Sequence, residues 1–363
     1  MARRFDSKDL EDFAHRIAAG MGAPTPVAEE VARHLVRSNL AGHDSHGIIR
    51  LGQYMEQAQA GLLIPAALPE VALPAPCGGL VNAQRGFGQY STMFATKVAI
   101  AAAKNIGVGA VAIRQSMHIG RVGEYVEAIT AEGQVGLMTV GSGGPGVGGM
   151  NVPGTTQRFL GANPWTLGMP GHKRDVVVDV STATVAEGKV RVARDGGTPL
   201  KPGSIIDRDG NPTTDPEDFY RGGSIMPLGG QFAGHKGYGL ALASMLFGAL
   251  AIIDEDDPTM IGASSVSGDE TSGRAAGVFV LAIDPGVFGR RDGYLDVVDR
   301  VTEAIKTAPS RADAGVPVVP GEPERDQFER RTRDGVDLPD TTVDRLNGIA
   351  RELGVGELTA AAA

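Results

Sequence analysis

The sequence predicts an α/β protein with a sheet-containing centre and helical segments at both ends of the chain. Apolar residues recur at helical spacing over the first 60 residues, and strand and helix patterns alternate from about residue 78. The C-terminal segment returns to charged, helix-forming sequence. Such alternation is typical of a layered α/β architecture. We therefore divide the chain into a discontinuous helical domain, 1–77 with 285–363, and a sheet-based domain, 78–284.

The N-terminal segment should form three helices before the sheet begins. The apolar spacing predicts helices that begin near Ser7 and at Pro26, and a third that ends at Gly61. His15 and His34 lie in these helices beside charged neighbours, so we expect both on solvated faces.

The sheet domain should contain apolar strands separated by helices. The predicted strands are 79–83, 108–114, 135–140, 175–180 and 277–283, and the predicted helices are 90–105, 120–132 and a buried one at 240–253. Residues 200–230 are rich in Pro, Gly and Asp and should be mostly loop. Three C-terminal helices are predicted at 297–307, 322–333 and 341–353.

Composition excludes several classes of protein. The net charge of −9 disfavours a nucleic-acid or anionic-membrane partner. A single cysteine, Cys77, excludes an intrachain disulfide and a cysteine-rich metal centre. No apolar run has the length of a membrane span, and the N-terminus lacks a signal-peptide core. We expect a cytoplasmic enzyme.

Residues 42–50 concentrate groups that exchange protons and bind anions. His46 can act as a general acid or base near neutral pH, and the Arg50 guanidinium matches a carboxylate or phosphate. The two are four positions apart, so a helix that starts at Gly47 projects both to one side. The alternative is a plain helix start, capped by Asp44 or Ser45.

A further histidine, His118, follows the predicted strand 108–114. Ligands in α/β layers commonly bind where a strand ends and a helix begins. The alternative is a serine N-cap at Ser116 with an incidental histidine beside it.

The glycine-rich residues 141–149 do not fit a Rossmann dinucleotide loop. Pro145 interrupts the run, no amphipathic helix follows, and no acidic residue occupies the expected ribose-binding position. We interpret this stretch as a flexible loop or lid.

Two other segments are better suited to a phosphate or ribose. Asp179 ends an apolar strand and is followed by the hydroxyl residues Ser181 and Thr182. His235 and Lys236 lie between glycines before the apolar run 240–253, and a helix start favours anions.

Taken together in order, these motifs resemble the malate/L-lactate dehydrogenase family of NAD(P)-dependent oxidoreductases, which is unrelated to the Rossmann-type lactate dehydrogenases. The matching stretches are 42–47 with Arg50, 116–120, 160–164, 179–182, 212–216, 234–240 and 320–323. Members of this family reduce 2-oxo acids, or cyclic imines that carry a carboxylate, or run the reverse oxidation.

The resemblance implies a non-Rossmann nicotinamide-binding fold with a largely antiparallel sheet, flanking helices and a homodimeric assembly. It implies that His46 is the proton donor and acceptor, that Arg50 binds the substrate carboxylate, and that His118 lines the substrate pocket. Bound NAD or NADP would lie on the sheet domain, 78–284. Its implied contacts are Ser45, His46, Asp179, Val180, Ser181, Thr182, Ala183, His235, Lys236, Gly321, Glu322 and Pro323.

The sequence leaves several alternatives open. Met117 and the extra glycines of 141–149 depart from the usual family pattern and leave the substrate undetermined. Lys189, Arg191 and Arg194 are candidates for a 2′-phosphate contact, so both cofactors stay possible. We expect no metal ion, but a hydrolase with a metal on His43, His46 and His118 is a competing hypothesis, as is a non-catalytic ligand-binding protein.

Overall fold

The computed structural model describes residues 2–144, 146–253, 276–311, 313 and 315–359. Its helices are α1 Ser7–Gly20, α2 Thr25–Leu40, α3 Arg50–Gln59, α4 Gly88–Ile106, α5 Gly123–Thr130, α6 Glu187–Asp195, α7 Pro216–Tyr220, α8 Gly230–Ala249, α9 Arg291–Lys306, α10 Glu322–Asp334 and α11 Asp340–Glu352. Its strands are β1 Ala2–Phe5, β2 Glu70–Ala75, β3 Gly78–Asn82, β4 Val108–Ser116, β5 Val135–Gly141, β6 Met150–Asn151, β7 Arg158–Leu160, β8 Trp165–Met169, β9 Val176–Val180, β10 Ile205–Ile206, β11 Pro212–Thr213, β12 Ser224–Ile225, β13 Ala276–Ile283 and β14 Val336–Pro339.

The largest sheet has the strand order β2-β3-β4-β13-β5-β8-β9. Its central strand β13 pairs antiparallel with β4 on one side and β5 on the other. Only β3 and β4 run parallel within this sheet of the described chain, and helix α4 connects them. The predicted non-Rossmann fold with a largely antiparallel sheet and flanking helices is therefore confirmed.

Two smaller sheets complete the architecture. Short strands form a second sheet in the order β11-β10-β12-β6-β7. Most of its members have only two residues, which is too short for an alternation pattern and explains why 200–230 reads as loop. Strands β1 and β14 pair antiparallel and bring the two ends of the described chain together.

The two chain ends also share one apolar core. Phe13 and Leu35 from the N-terminal helices are buried in the same cluster as Leu346 from α11. Strand β2, by contrast, pairs with β3 in the large sheet, although it belongs to the 1–77 segment of the predicted helical domain. The division into 1–77 with 285–363 and 78–284 stays a prediction.

Two expectations about burial are wrong. His34 is fully buried and does not lie on a solvated face. Helix α8 begins at Gly230, earlier than predicted, and several of its apolar side chains are exposed, Phe232 most of all at 96 %. In the described part of the chain, no helix has both the length and the hydropathy that a membrane span requires.

Candidate active site

The predicted proton-exchanging cluster lies on a short turn between α2 and α3. Residues Asp44–His46 form a single 3-10 turn, and Arg50 is the first residue of α3. The Arg50 guanidinium donates through Nε to the Ser45 carbonyl at 2.6 Å and through Nη1 to Gln53 Oε1 at 2.6 Å. Both His46 and Arg50 are partly exposed, so a small ligand can reach them.

The buried side chain of Asn39, near the end of α2, holds this turn in place. Its Oδ1 accepts the Ile48 N–H at 2.9 Å, and its Nδ2 donates to Asp44 Oδ1 at 2.8 Å. A Cβ on Gly47 would lie 2.1 Å from Asn39 Oδ1, which is closer than any non-bonded contact allows. Glycine is therefore required at position 47 for steric reasons.

Helix α10 braces the turn from the other side. Arg331 donates to both carboxylate oxygens of Asp44, at 2.7 and 3.1 Å, and also to the Asn39 carbonyl. Bidentate pairs of this kind fix orientation as well as distance. His43 lies nearer α10, with its Nε2 at 3.7 Å from Glu324 Oε1. The surroundings of His43 therefore differ from those of His46.

The structure places His118 against His46, although the two are far apart in sequence. Their rings stack with centroids 5.7 Å apart and an interplanar angle of 24°. The loop that carries His118 packs tightly on α4, where a Cβ on Gly88 would lie 2.3 Å from the Met117 carbonyl oxygen. The same loop is tied to α2, because the Arg121 N–H donates to His34 Nε2 at 3.0 Å.

Both pocket histidines are held neutral. Burial, followed by the nearby charges of Arg50, His43 and Arg121, lowers the pKa of His46 to about 3. Burial and then Arg50 also lower the pKa of His118 well below its ordinary value. The positive charge of the free site therefore resides on arginine, which suits an anionic ligand.

A buried ionic cluster lies behind this pocket. The Glu124 carboxylate contacts His34 Nδ1 at 3.2 Å and Arg33 Nη1 at 2.6 Å, and burial raises its pKa to about 7. Glu30, His34 and Glu124 each offer a ligand atom within 4.8 Å of the others. However, Arg33 also contacts Glu30 at 2.5 Å, so a guanidinium already supplies the positive charge there.

The predicted cofactor residues on β9 are engaged with neighbouring strands and loops. Asp179 accepts the Gly123 N–H at 2.8 Å, at the start of α5, and the Thr166 hydroxyl at 3.1 Å. The Ser181 and Thr182 hydroxyls both donate to the Ala162 carbonyl. The Asp179 carboxylate thus stabilises the start of α5. The neighbouring Val180 side chain is exposed.

Two of the segments predicted to contact the cofactor lie against β9 or the residues that follow it. Ala183 forms a bridge with Pro227, on the connection that leads into α8. The Pro320 carbonyl accepts the Val177 N–H at 3.1 Å, which seats the turn of Gly321, Glu322 and Pro323 beside the strand. Glu322 itself binds Lys306 at 2.7 Å and Arg174 at 3.1 Å.

His235 and Lys236 lie in α8 and are exposed. They follow Ala233, whose backbone (φ −142°, ψ 19°) interrupts the helix. Regular helix therefore resumes at Gly234, directly before His235 and Lys236. The sequence had predicted that the helix begins at Leu240. N–H groups in the first turn of a helix have no intrahelical acceptors.

The glycine-rich stretch is not a dinucleotide loop of Rossmann type. The Gly144 N–H donates to the Phe159 carbonyl at 2.8 Å and the Gly146 N–H to the Arg158 carbonyl at 3.0 Å. The stretch leads into β6 rather than into a helix. Pro145 lies outside the described residues. These hydrogen bonds attach part of the segment to β7, although the sequence had been interpreted as a flexible loop or lid.

A family model described as malate/L-lactate dehydrogenase matches residues 5–347. The chain belongs to this family. Malate/(S)-sulfolactate dehydrogenase of Methanothermus fervidus is 32% identical over 349 residues, which cover 95% of this chain and 96% of the relative. The resemblance predicted from the ordered motifs is confirmed.

Other members of the malate/L-lactate dehydrogenase family extend the comparison. The delta(1)-pyrroline-2-carboxylate reductase of Ancylobacter novellus is 31% identical, over 89% of this chain and 90% of its own. The solved structure of sulfolactate dehydrogenase from Methanocaldococcus jannaschii superposes with a TM-score of 0.87 at 28% identity, covering 98% of both chains. These relatives are named dehydrogenases and reductases.

Sequence reasoning missed three residues that build the pocket. Asn39, Tyr54 and Gln89 are buried polar side chains that contact the catalytic candidates or their loops. The available signal was a polar residue on the apolar face of a helix, which costs free energy unless it is hydrogen-bonded.

Replacing Asn39 with alanine should loosen the His46 turn. The Ile48 N–H would lose its acceptor, and a buried unsatisfied group costs about 1–3 kcal/mol. We expect a lower free energy of unfolding in urea and faster amide hydrogen exchange across residues 44–48. Asn105→Ala, at an exposed position of α4, is the matched control. Unchanged exchange at residues 44–48 would contradict the role given to Asn39.

Proposed function

We propose that this chain transfers hydride between NAD(P) and a small 2-oxo or 2-hydroxy acid of the malate/lactate type, or a related cyclic imino acid. The observation that carries the proposal is the pocket in which the neutral His46 and His118 rings stack beside the charged Arg50. A proton carrier and an anion anchor are the groups that such a reaction requires from the protein.

Each pocket residue has a distinct role in this proposal. Arg50 binds the substrate carboxylate, since its planar fork matches two carboxylate oxygens. Its bonds to Ser45 and Gln53 fix the guanidinium before substrate arrives. His46 gives a proton to the substrate oxygen or nitrogen during reduction and removes it during oxidation. His118 lines the pocket and contacts the same substrate.

The cofactor is NAD or NADP, which supplies or accepts the hydride when bound. The residues proposed to hold it include Val180, which is exposed at the end of β9, and Lys236, which is exposed on α8. Arg191 and Arg194 are already paired with Glu187 and Asp195. These pairs leave the choice between NAD and NADP open.

A homodimer is part of the proposal. Helix α8 is apolar on most sides, and its Phe232 and Leu246 are exposed by 96 % and 56 %. Ile253, which lies beyond the end of the helix, is exposed by 73 %. Contiguous apolar surface on a soluble protein usually marks an interface. A second copy of this chain is the occupant that the family resemblance implies. The cytoplasmic location stays a prediction.

The competing metal-hydrolase hypothesis has less support from the geometry. Among the described residues, the set with ligand atoms in mutual reach is Glu30, His34 and Glu124, and it does not include His43, His46 or His118. The stacked arrangement of His46 on His118 also directs their ring faces, rather than a pair of nitrogens, toward each other.

A spectrophotometric panel of 2-oxo acids and cyclic imino acids, against NADH and NADPH, tests the proposed function. We expect cofactor oxidation with at least one carboxylate substrate, and persistence of that activity after exhaustive chelation.

His46→Ala should lower turnover by about 10²- to 10⁴-fold, the usual contribution of a general acid. His172→Ala, at an exposed histidine, is the control. Near-normal turnover without His46 would overturn its role.

The two reaction directions should differ in pH dependence. The pH dependence of kcat/KM reports the pKa values of the enzyme before the substrate binds. In that form His46 has a pKa of about 3 and is therefore neutral at working pH. Reduction requires the protonated ring, so its kcat/KM should fall about tenfold per pH unit between about pH 6 and 8. Oxidation requires the neutral ring and should show no His46 inflection in that range. An inflection near pH 6.5 in the oxidation profile, lost in His46→Ala, would contradict this assignment.

Introducing charge on α8 should dissociate the proposed dimer. Leu246→Glu would place a carboxylate in the covered apolar surface, where an unpaired charge is strongly unfavourable. We expect sedimentation as a dimer for the natural sequence and as a monomer for this variant. Leu73→Glu, on the exposed strand β2, is the matched control and should remain dimeric. A monomeric natural sequence would reject the proposal.

A further inference from the structure

A line of three polar side chains runs from the protein interior to His118. Gln89 Nε2 donates to the Tyr54 hydroxyl oxygen at 2.5 Å, and the same hydroxyl lies 2.8 Å from His118 Nδ1. Tyr54 and Gln89 are fully buried, and Phe87 packs edge-on against the Tyr54 ring. The reaction proposed above leaves this line of side chains without a task.

Counting hydrogens along the line determines the tautomer of His118. A phenol has one hydrogen and can accept others at its oxygen. Because the Gln89 amide donates to that oxygen, the Tyr54 hydrogen is directed at His118 Nδ1. A neutral imidazole that accepts at Nδ1 carries its own hydrogen on Nε2. His118 is neutral because burial and Arg50 disfavour its charged form.

The opposite direction of the two hydrogen bonds is unfavourable for an anionic substrate. Rotating the Gln89 amide would make Tyr54 donate to Gln89, so that His118 would donate from Nδ1 and carry a lone pair on Nε2. That lone pair would repel the oxygens of an anionic substrate.

We propose that Tyr54 and Gln89 are positioning residues that fix His118 as a neutral Nε2–H donor to a substrate oxygen. The identity of the acceptor rests on the proposed function, whereas the tautomer rests first on the direction of the Gln89 hydrogen bond. The two pocket histidines then differ in kind. His46, whose Nδ1 faces the exposed Ser45 hydroxyl at 3.0 Å, exchanges the proton, while His118 keeps its own.

The tautomer can be read directly by NMR. Long-range ¹H–¹⁵N correlation of protein labelled at histidine separates the two neutral forms, and His118→Gln identifies the His118 signals by their loss. We expect a protonated Nε2 and an unprotonated Nδ1 in the natural sequence. Tyr54→Phe retains the ring and removes the hydroxyl, so the His118 signals should shift toward a mixture of tautomers. Tyr294→Phe, on α9, is the control. A protonated Nδ1 in the natural sequence would overturn the proposal.

Kinetics supply a second measurement that a merely structural role would not affect. A hydrogen bond to a charged group contributes about 1.5–3 kcal/mol, which corresponds to roughly 10- to 100-fold in affinity. We expect Tyr54→Phe to raise KM for the carboxylate substrate about tenfold with little change in kcat or in nicotinamide affinity. Gln89→Met should raise KM less. An unchanged KM in Tyr54→Phe would reject the donor role of His118.

The two proposals fail in different ways. If no 2-oxo or imino acid is turned over with either cofactor, the proposed function is wrong, and the NMR result still decides the tautomer. If the substrate is turned over while His118 carries its hydrogen on Nδ1, the inference is wrong and the proposed function remains.

Discussion

The rest of the pocket depends on the hydrogen bonds by which Asn39 fixes the turn around Gly47. Asn39 is on α2, and five residues earlier the same helix carries His34, which binds the loop of His118. One rigid helix thereby sets the separation of His46 and His118. Two loops that were free to move independently could not maintain a stacked pair of neutral rings. The close packing of Gly47 against Asn39 and the bidentate hydrogen bonds from Arg331 to Asp44 also keep the His46 turn in place.

In the proposed reaction, the electrostatics of the pocket would couple substrate binding to proton uptake. Arg50 is among the causes that lower the pKa of His46, after burial. A carboxylate bound to Arg50 neutralises that charge and therefore raises the pKa of His46 toward the range in which it can donate. By linkage, protonation of His46 strengthens carboxylate binding by the same amount. The proposed anion anchor and the proposed proton carrier would thus act as one unit.

How much the sequence predicts depends on the distance over which each interaction acts. Strands β4, β5 and β13 and helices α1–α3 follow from local periodicity and spacing, although α3 begins at Arg50 and not at Gly47 as predicted, so His46 lies outside it. His34 does not, because the charges beside it in α2 suggested a solvated helix face. Those charges in fact bind Glu124, a residue of α5. The stack of His46 on His118 and the buried side chains of Tyr54 and Gln89 likewise depend on tertiary contacts that no periodicity encodes.

Helix α6 connects the two halves of the proposed site. It follows directly after the 179–183 segment that is proposed to hold the cofactor. Its ion pair of Glu187 and Arg191 acts electrostatically on Arg50, the proposed carboxylate anchor. The two members of the pair act in opposite directions, because Arg191 lowers the pKa of Arg50 and Glu187 raises it. A ligand phosphate near α6 that drew Arg191 away from Glu187 would expose that carboxylate to Arg50. The helix that follows the proposed cofactor segment therefore acts on the proposed substrate anchor, although the two are distant in the sequence.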